Sequence, residues 1–191
     1  MMNLPYRLIL GSKSPRRQEL LKSLGQHFEV RVKPVDESFP SELPVEDLAE
    51  FISRKKAEAF NDLADDELVI TSDTVVVCEG KALAKAADTR EASEMLQLLS
   101  GKTHQVITGV CLKTKNQTIS FSETTDVHFD VLKPEEISHY IDNYQPFDKA
   151  GAYGIQEWIG MIGIKGIEGD YYNVMGLPLH KLYKELQHFS S

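Results

Sequence analysis

The sequence has few of the features that mark secreted, zinc-binding or membrane proteins. Its 191 residues include only two cysteines, Cys78 and Cys111, which are far apart and form no Cys-x-x-Cys motif. This excludes a disulfide framework and a zinc knuckle. No apolar run is long enough to cross a bilayer, and the N-terminus has no basic segment followed by an apolar stretch and a cleavage site. We therefore expect a cytoplasmic protein with reduced, structural cysteines.

Positive charge is also scarce. The chain has 21 Lys and Arg against 29 Asp and Glu, a formal net charge of −8. Proteins that bind the nucleic-acid backbone rely on clustered Lys and Arg, so this balance disfavours a nucleic-acid partner. A small anionic ligand stays compatible, because a local basic cluster can bind it. A composition of 41% hydrophobic and 26% charged residues is typical of a folded domain, and we expect one domain over residues 1–191.

Strand and helix patterns alternate along the chain, which predicts an α/β fold. A short apolar strand at 7–10 precedes a turn and a helix that begins at Pro15. A long amphipathic helix is predicted at 44–63, and the most β-prone segment, 68–77, is interrupted by polar residues at 71–74. Further predictions are strands at 119–125, 127–132 and 158–167, a short buried piece at 171–174, and a final helix at 178–189.

The segment Ser12–Arg17 lies between the first predicted strand and helix. A helix N-terminus offers unpaired N–H groups and a partial positive charge, and serine and arginine side chains add donors that suit phosphate oxygens. The pattern indicates an anion site that uses Ser12, Arg16 and Arg17. In the alternative, Ser14 only caps the helix and the arginines form a solvated face.

Lys56 is predicted to point inward from the second helix. On a helical wheel it falls in the apolar stripe, one turn after Ile52 and one turn before Phe60, whereas Lys55 falls to the side. A desolvated ammonium without a partner is unfavourable. Lys56 therefore either extends its charge to the edge of the core or pairs with an anion.

Asp73 is a carboxylate within a strand pattern that otherwise indicates burial. Such a group needs a metal ion, a lysine or an arginine as its partner. Together with Glu37, which follows an earlier strand, Asp73 can hold a Mg²⁺ ion that bridges phosphate oxygens, and it can accept a proton from an attacking water. The alternative is a structural aspartate that caps a turn at 72–74.

The segment Asp148–Gln156 combines two glycines with an aromatic ring and an amide. Glycine lets the backbone approach a ligand closely, and the Gln156 amide can pair with the N3–H and a carbonyl of uracil or thymine. A flipped amide would match cytosine, so base choice requires a second group that fixes its orientation. A glycine-rich surface loop accounts for the same residues without a ligand.

Two other residues are weaker candidates. Lys85 follows a predicted hairpin and can reach a phosphate, but an exposed hairpin lysine is its ordinary role. His104 is interpreted as a hydrogen-bonded structural histidine.

Seven segments, in order along almost the whole chain, resemble the Maf family of nucleoside triphosphate pyrophosphatases. They are 12–17 (SKSPRR), 35–37 (VDE), 54–57 (RKKA), 72–75 (SDTV), 100–104 (SGKTH), 148–156 (DKAGAYGIQ) and 176–179 (GLPL). A chance match to one segment would not reproduce the order of all seven. The chain departs from the family pattern at Ala86, where the family commonly has proline after the residue matched by Lys85.

The resemblance implies a fold like that of the inosine triphosphate pyrophosphatases, with a mixed sheet flanked by helices and two lobes around a central cleft. It also implies a homodimer that hydrolyses a nucleoside triphosphate to the monophosphate and pyrophosphate with a divalent cation (Mg²⁺, Mn²⁺ or Co²⁺). The sequence GAYGIQ at 151–156 is similar to the branch that prefers dTTP and UTP, and modified pyrimidine nucleotides fall within the same expectation.

The resemblance also implies residue roles. Asp73 matches the family's proton acceptor, and we expect Lys56 and Glu37 to act with it in catalysis, with Asp73 and Glu37 as metal ligands. Positions that set substrate choice are matched by Arg16, Thr74 and Gln156. The remaining matched pocket positions are Ser12, Arg17, Lys85 and Lys149.

A different class of function stays open at this point. A non-catalytic nucleotide-binding regulator, linked to cell division, would use the same pocket. The inward Asp73 favours the enzyme, because a protein that only binds nucleotides has no evident need for a buried carboxylate near a second possible metal ligand.

Overall fold

The structure is a computed structural model that describes residues 4–189. Over this range the chain forms seven strands and seven α-helices. The strands are β1 (Arg7–Leu10), β2 (Phe28–Val30), β3 (Glu67–Cys78), β4 (Lys81–Leu83), β5 (Thr103–Lys113), β6 (Thr118–Phe129) and β7 (Ile164–Glu168). The helices are α1 (Pro15–Ser23), α2 (Leu48–Glu58), α3 (Thr89–Leu99), α4 (Pro134–Tyr144), α5 (Trp158–Gly163), α6 (Tyr171–Val174) and α7 (Leu179–Leu186), and short 3₁₀ turns occur at Val45–Asp47, Pro146–Asp148 and Gln187–Phe189.

The strands form one mixed sheet in the order β2-β1-β3-β5-β6-β7, with β4 paired to the end of β3. β1 runs parallel to β2 and β3, and the remaining pairs are antiparallel. Leu10, the last residue of β1, is in register with Ile70, and β3 continues well beyond this point. The turn that follows β1 therefore lies beside the middle of β3, where Asp73 is located.

The apolar core divides into two main clusters. One lies where α1 and α7 pack against β1, β3 and β5, with Leu21, Leu182 and Leu112 at its centre. The other includes Leu96 of α3 and Tyr140 of α4. The expected mixed sheet with flanking helices is confirmed, and the cleft described below is lined by residues of the second cluster, among them Val76, Val106 and Tyr153.

Helix α2 lies directly on the sheet because two features of the sequence allow it. A Cβ on Gly109 of β5 would collide with the carbonyl of Ala49, so only glycine permits this approach. One helical turn before Lys56, the Ser53 carbonyl accepts a hydrogen bond of 2.7 Å from the Thr71 hydroxyl of β3. These contacts fix the direction in which Lys56 leaves the helix.

The helix predicted at 44–63 is shorter than expected. A 3₁₀ turn precedes it, and α2 ends at Glu58. Phe60 and Leu63 are nevertheless buried, in a small cluster with Ile9 and Val69. The apolar pattern therefore extends beyond the end of the helix, since residues in irregular chain can also be buried.

Three strand predictions were wrong in detail. Residues 158–163 form helix α5, and only Ile164–Glu168 is a strand. A short apolar run does not distinguish a helix from a strand. The two strands predicted at 119–125 and 127–132 are one strand, β6, which ends at Phe129. The polar residues 71–74 do not interrupt β3, because the Thr71 hydroxyl donates to the Ser53 carbonyl of α2 and the Thr74 hydroxyl bonds to that of Thr108 on β5.

The segment 171–174 is a short helix rather than a buried piece. Tyr171 and Tyr172 are exposed, and only Asn173 is fully buried. The helices of the described chain reach 11 residues at most, and none of them is long and apolar enough to span a membrane.

Candidate active site

A cleft of about 890 Å³ lies where the end of β1, helix α2, the middle of β3 and segment 148–156 meet. This volume is in the range of small-molecule sites. The lining includes every residue to which the sequence assigned a site role: Ser12, Arg16, Arg17, Glu37, Lys56, Asp73, Thr74, Lys85, Lys149 and Gln156. The fold therefore brings together segments that are far apart in the chain.

One cluster in the cleft, here called the Asp73 cluster, consists of Glu37, Lys56 and Asp73. Lys56 Nζ lies 2.7 Å from Asp73 Oδ1 and 3.1 Å from Glu37 Oε1. The side chains of Lys56 and Asp73 are 17% and 18% exposed, and that of Glu37 is 55% exposed. Of the two roles left open for Lys56, the structure shows pairing with an anion, and that anion is a carboxylate of the protein.

The two faces of β3 serve different parts of the cleft. Side chains alternate along a strand, so Asp73 points to the opposite face from its neighbours Ser72 and Thr74. Lys56 approaches Asp73 from α2, whereas Arg17 of α1 donates to the Ser72 carbonyl at 2.7 Å and to the Thr74 hydroxyl at 3.0 Å. The strand therefore separates the Lys56–Asp73 ion pair from the hydrogen bonds of Arg17.

Arg17 is held by the protein itself. Besides its bonds to Ser72 and Thr74, Arg17 Nε donates to the Gly176 carbonyl at 2.9 Å. These bonds tie α1, β3 and the segment before α7 together. Most of its guanidinium donors are occupied, so Arg17 shapes the cleft wall, although the sequence had selected it as an anion ligand.

The N-terminus of α1 keeps the features of an anion site. The Ser14 side chain caps the helix by accepting from the Arg17 N–H, and the Ser12 hydroxyl accepts from the Ser14 N–H at 3.2 Å. Arg16 Nη1 reaches across the cleft to Asp148 Oδ2 at 2.8 Å. The capping role and the anion-site role, which the sequence posed as alternatives, are compatible here.

A second cluster, here called the Tyr140 cluster, consists of Tyr140, Asp148, Lys149 and Glu157. Lys149 Nζ lies 2.8 Å from Asp148 Oδ1 and 3.0 Å from Glu157 Oε1, and the lysine side chain is only 9% exposed. Tyr140 donates a hydrogen bond to Glu157 Oε2. Lys149, selected from the sequence as a pocket residue, is thus paired with two carboxylates.

The charge of Asp148 is set by its neighbours. Burial by itself raises the pKa of its carboxyl, but the hydrogen bonds from Lys149 and Arg16 outweigh it, and the pKa lies below its ordinary value. Asp148 is therefore an anion at neutral pH, linking Arg16 on α1 to Lys149.

Gln156 lies next to this cluster. Its Oε1 atom is buried and has no hydrogen-bond partner among the described residues. An unpaired buried acceptor is unfavourable unless a ligand satisfies it. The structure thus supports the interpretation of Gln156 as a ligand-binding residue rather than part of a glycine-rich surface loop.

Lys85 and His104 occupy different environments. Lys85 is exposed, and its backbone forms a β-bridge with Ala150 that places it at the cleft. His104 is buried beneath the cleft, where its Nε2 pairs with the Tyr153 hydroxyl at 2.7 Å and burial lowers its pKa to about 4. His104 is a neutral structural residue at pH 7, as expected.

Sequence reasoning missed four buried or clustered polar residues. Tyr140 and Glu157 belong to the second cluster. The Thr108 hydroxyl lies 2.9 Å from that of Thr74, and Asn173 Nδ2 donates to the Val106 carbonyl at 2.9 Å. The only signal was a polar residue within an apolar stretch, which does not reveal its partner.

The carboxylates of the Asp73 cluster are the candidate ligands for a metal ion. In residues 4–189 no three His, Cys, Asp or Glu side chains come together as a metal-binding group. Asp73 and Glu37 come together as a pair, with Lys56 between them. Two carboxylates fit Mg²⁺, which is commonly held by one or two carboxylates together with water and substrate phosphates.

Comparison with known proteins gives a consistent result. The family model described as "Maf-like protein" matches residues 7–189. A dTTP/UTP pyrophosphatase of Bacteroides thetaiotaomicron is 54% identical over 184 residues, covering 95% of both chains. Proteins of the same name from Parabacteroides distasonis (51% identical; 96% of both chains) and Flavobacterium psychrophilum (52%; 93% of this chain and 91% of the relative) are similar to it as well. With a match over nearly its whole length and residues from six of the seven matched segments around one cleft, the chain belongs to the Maf family.

Proposed function

We propose that this chain is a pyrophosphatase that hydrolyses dTTP and UTP, together with pyrimidine nucleotides modified on the base, to the monophosphate and pyrophosphate. The observation that carries the proposal is the Asp73–Lys56 pair, 2.7 Å apart and held at a cleft beside the donor-rich N-terminus of α1. The names of relatives about half identical to this chain support the choice of substrate.

In the proposed reaction, a water oxygen bonds to the α-phosphorus as the bond from that phosphorus to the bridging oxygen breaks. Pyrophosphate leaves, and Asp73 accepts the proton of the water. Lys56 orients Asp73 and offsets negative charge that develops on the phosphate oxygens. Arg16 and the N–H groups of α1 bind the phosphates, with Ser12 and Lys85 as further donors.

The proposal includes a divalent cation, Mg²⁺, Mn²⁺ or Co²⁺, held by Asp73 and Glu37. Such an ion would neutralise phosphate charge when it is bound. Lys56 Nζ lies between the two carboxylates, and its charge offsets their mutual repulsion.

At the base, Gln156 provides the recognition. Its unpaired Oε1 accepts a hydrogen bond from N3–H of uracil or thymine, and its Nε2 donates to a neighbouring carbonyl. Thr74 and Arg16 complete the substrate-selecting set.

The test is pyrophosphate release from purified protein with a panel of nucleoside triphosphates, with and without each divalent cation, alongside Asp73→Asn. Metal-dependent cleavage of dTTP and UTP over purine nucleotides, lost in the variant, supports the proposal. A folded protein that binds nucleotides without cleaving them would instead be a regulator.

We also propose that the chain acts as one domain, in the cytoplasm, as a homodimer. The net charge of −8 supports small nucleotides rather than nucleic acid as its partners. Light scattering during size-exclusion chromatography tests the dimer: a mass of one chain would contradict it.

A further inference from the structure

Gln156 is carried by a tight turn whose shape decides where its amide points. The Glu157 N–H donates to the Gly154 carbonyl at 3.0 Å, which closes the turn Gly154–Glu157. Gln156 is the third residue of this turn. A change in the turn would therefore change the position of the buried, unpaired Oε1.

One hydroxyl holds both ends of the turn. Tyr140 of α4 is fully buried, and it is not part of the cleft lining. Its hydroxyl accepts from the Gly154 N–H at 3.0 Å and donates to Glu157 Oε2. Burial, together with the neighbouring Glu157 carboxylate, raises the pKa of Tyr140, so its proton stays available for this bond.

The Glu157 carboxylate is fixed on its other side as well. Lys149 Nζ lies 3.0 Å from Glu157 Oε1, so both oxygens have a partner. The point where a Cβ on Gly154 would stand lies 3.1 Å from Glu157 Oε2 and also 3.1 Å from Gln156 Nε2. The carboxylate oxygen and the amide nitrogen are therefore at most 6.2 Å apart (twice 3.1 Å), close enough for the charge to act on the amide.

This arrangement gives the amide a preferred orientation. A carboxylate attracts the NH₂ end of an amide and repels its carbonyl oxygen. With Nε2 on the Glu157 side, Oε1 remains the unpaired acceptor. An acceptor matches N3–H of uracil and thymine, whereas N3 of cytosine is itself an acceptor.

We propose that Tyr140 is a positioning residue for base recognition: through Glu157 it holds the Gln156 amide in the orientation that selects uracil and thymine and rejects cytosine. The inference rests on the proposed function. It identifies the second group that base choice requires, namely the one that fixes the orientation of the Gln156 amide.

The experiment measures kcat and KM for UTP and CTP in four proteins: the wild type, Tyr140→Phe, Gln156→Ala and the double variant. We expect Tyr140→Phe to lower the ratio of kcat/KM for UTP over CTP by about 10-fold, with kcat for UTP changed by less than about 3-fold. In the Gln156→Ala background the same substitution should leave the ratio unchanged, because Tyr140 acts through Gln156. Tyr144→Phe is the control, since Tyr144 stacks on Tyr140 from the same helix with its ring partly exposed.

A Tyr140→Phe ratio equal to that of the wild type, or an equal loss with and without Gln156, overturns the inference. If Tyr140→Phe does not fold, Glu157→Gln replaces it with the same expectation, because it removes the charge that orients the amide. A wild type that cleaves no nucleotide defeats the proposed function. Calorimetric affinities for UMP and CMP then test the inference alone, and equal changes for both ligands in the variant overturn it.

Discussion

The two charged clusters of the cleft have similar composition and opposite design. Each places one lysine between two carboxylates. In the Tyr140 cluster both oxygens of Glu157 have partners, and Lys149 is almost completely buried. In the Asp73 cluster Asp73 bonds through one oxygen to Lys56 in the described chain. The outer carboxylates, Glu37 and Asp148, are both more than half exposed, so the clusters differ in how their inner carboxylates are paired.

The difference shows how one cleft can separate positioning from chemistry. A fully paired cluster has little freedom, and it suits a rigid wall that holds the Gln156 amide. A cluster with unpaired carboxylate oxygens retains capacity to bind a cation or accept a proton. Four predictions test this division.

The largest effect on the rate is expected at the Asp73 cluster. Asp73→Asn keeps the shape of the side chain but removes its charge and basicity, so kcat for UTP should fall by about 10³-fold, within the range for loss of a general base. Pyrophosphate release measures kcat, and a thermal melt checks that the fold is kept. Asp36→Asn is the control, because Asp36 is an exposed carboxylate that pairs with Lys55 of α2. Equal rates in the wild type and Asp73→Asn would remove Asp73 from the chemistry.

Lys56→Met should have the next largest effect. The methionine retains most of the apolar stem, but Asp73 and Glu37 lose the ammonium between them, and we expect kcat to fall by about 10²-fold. Lys55→Met is the matched control, because Lys55 bonds to the Ser38 carbonyl outside this cluster. Comparable losses in the two variants would mean that Lys56 has no special part.

At Gln156, beside the Tyr140 cluster, the expected effect is on the choice between nucleotides. Gln156→Ala should lower the UTP-over-CTP ratio of kcat/KM by about 10-fold or more, because the amide supplies the base contacts, while kcat for UTP falls far less than in Asp73→Asn. The control for loss of an amide is Gln97→Ala on the exposed face of α3. A uniform loss across all nucleotides would show that Gln156 supports the cleft without reading the base.

The last prediction concerns the stability of the fold, at His104 beneath the cleft, and no change in activity. Burial lowers the pKa of His104 to about 4 from its ordinary 6.5. The folded state therefore binds fewer protons than the unfolded state between these values, and stability is lost as pH falls from about 6.5 to about 4, by roughly 3 kcal/mol at most. His104→Gln, which does not titrate, should lack this part of the loss in urea melts across that range. A pH dependence identical to that of the wild type would contradict it.

Those residues of the candidate site that stand out in the local sequence pattern were predictable. The position of Lys56 in an apolar stripe and of Asp73 in a buried strand pattern predicted that both need partners, and the structure pairs them with each other. Gln156 was identified as a base-reading candidate from a local motif. Helix and strand assignments failed at 158–163, where an apolar run fits either structure.

The sequence by itself determined the alternation of strands and helices, the inward Lys56 and Asp73, and the family. Only the tertiary structure decided that Arg17 is held by protein carbonyls and that Lys149 is neutralised by two carboxylates. It also decided that Tyr140 joins the turn of Gln156. The physical reason is that periodicity reports whether a side chain is buried, whereas its partner depends on which distant segment the sheet and helices place against it.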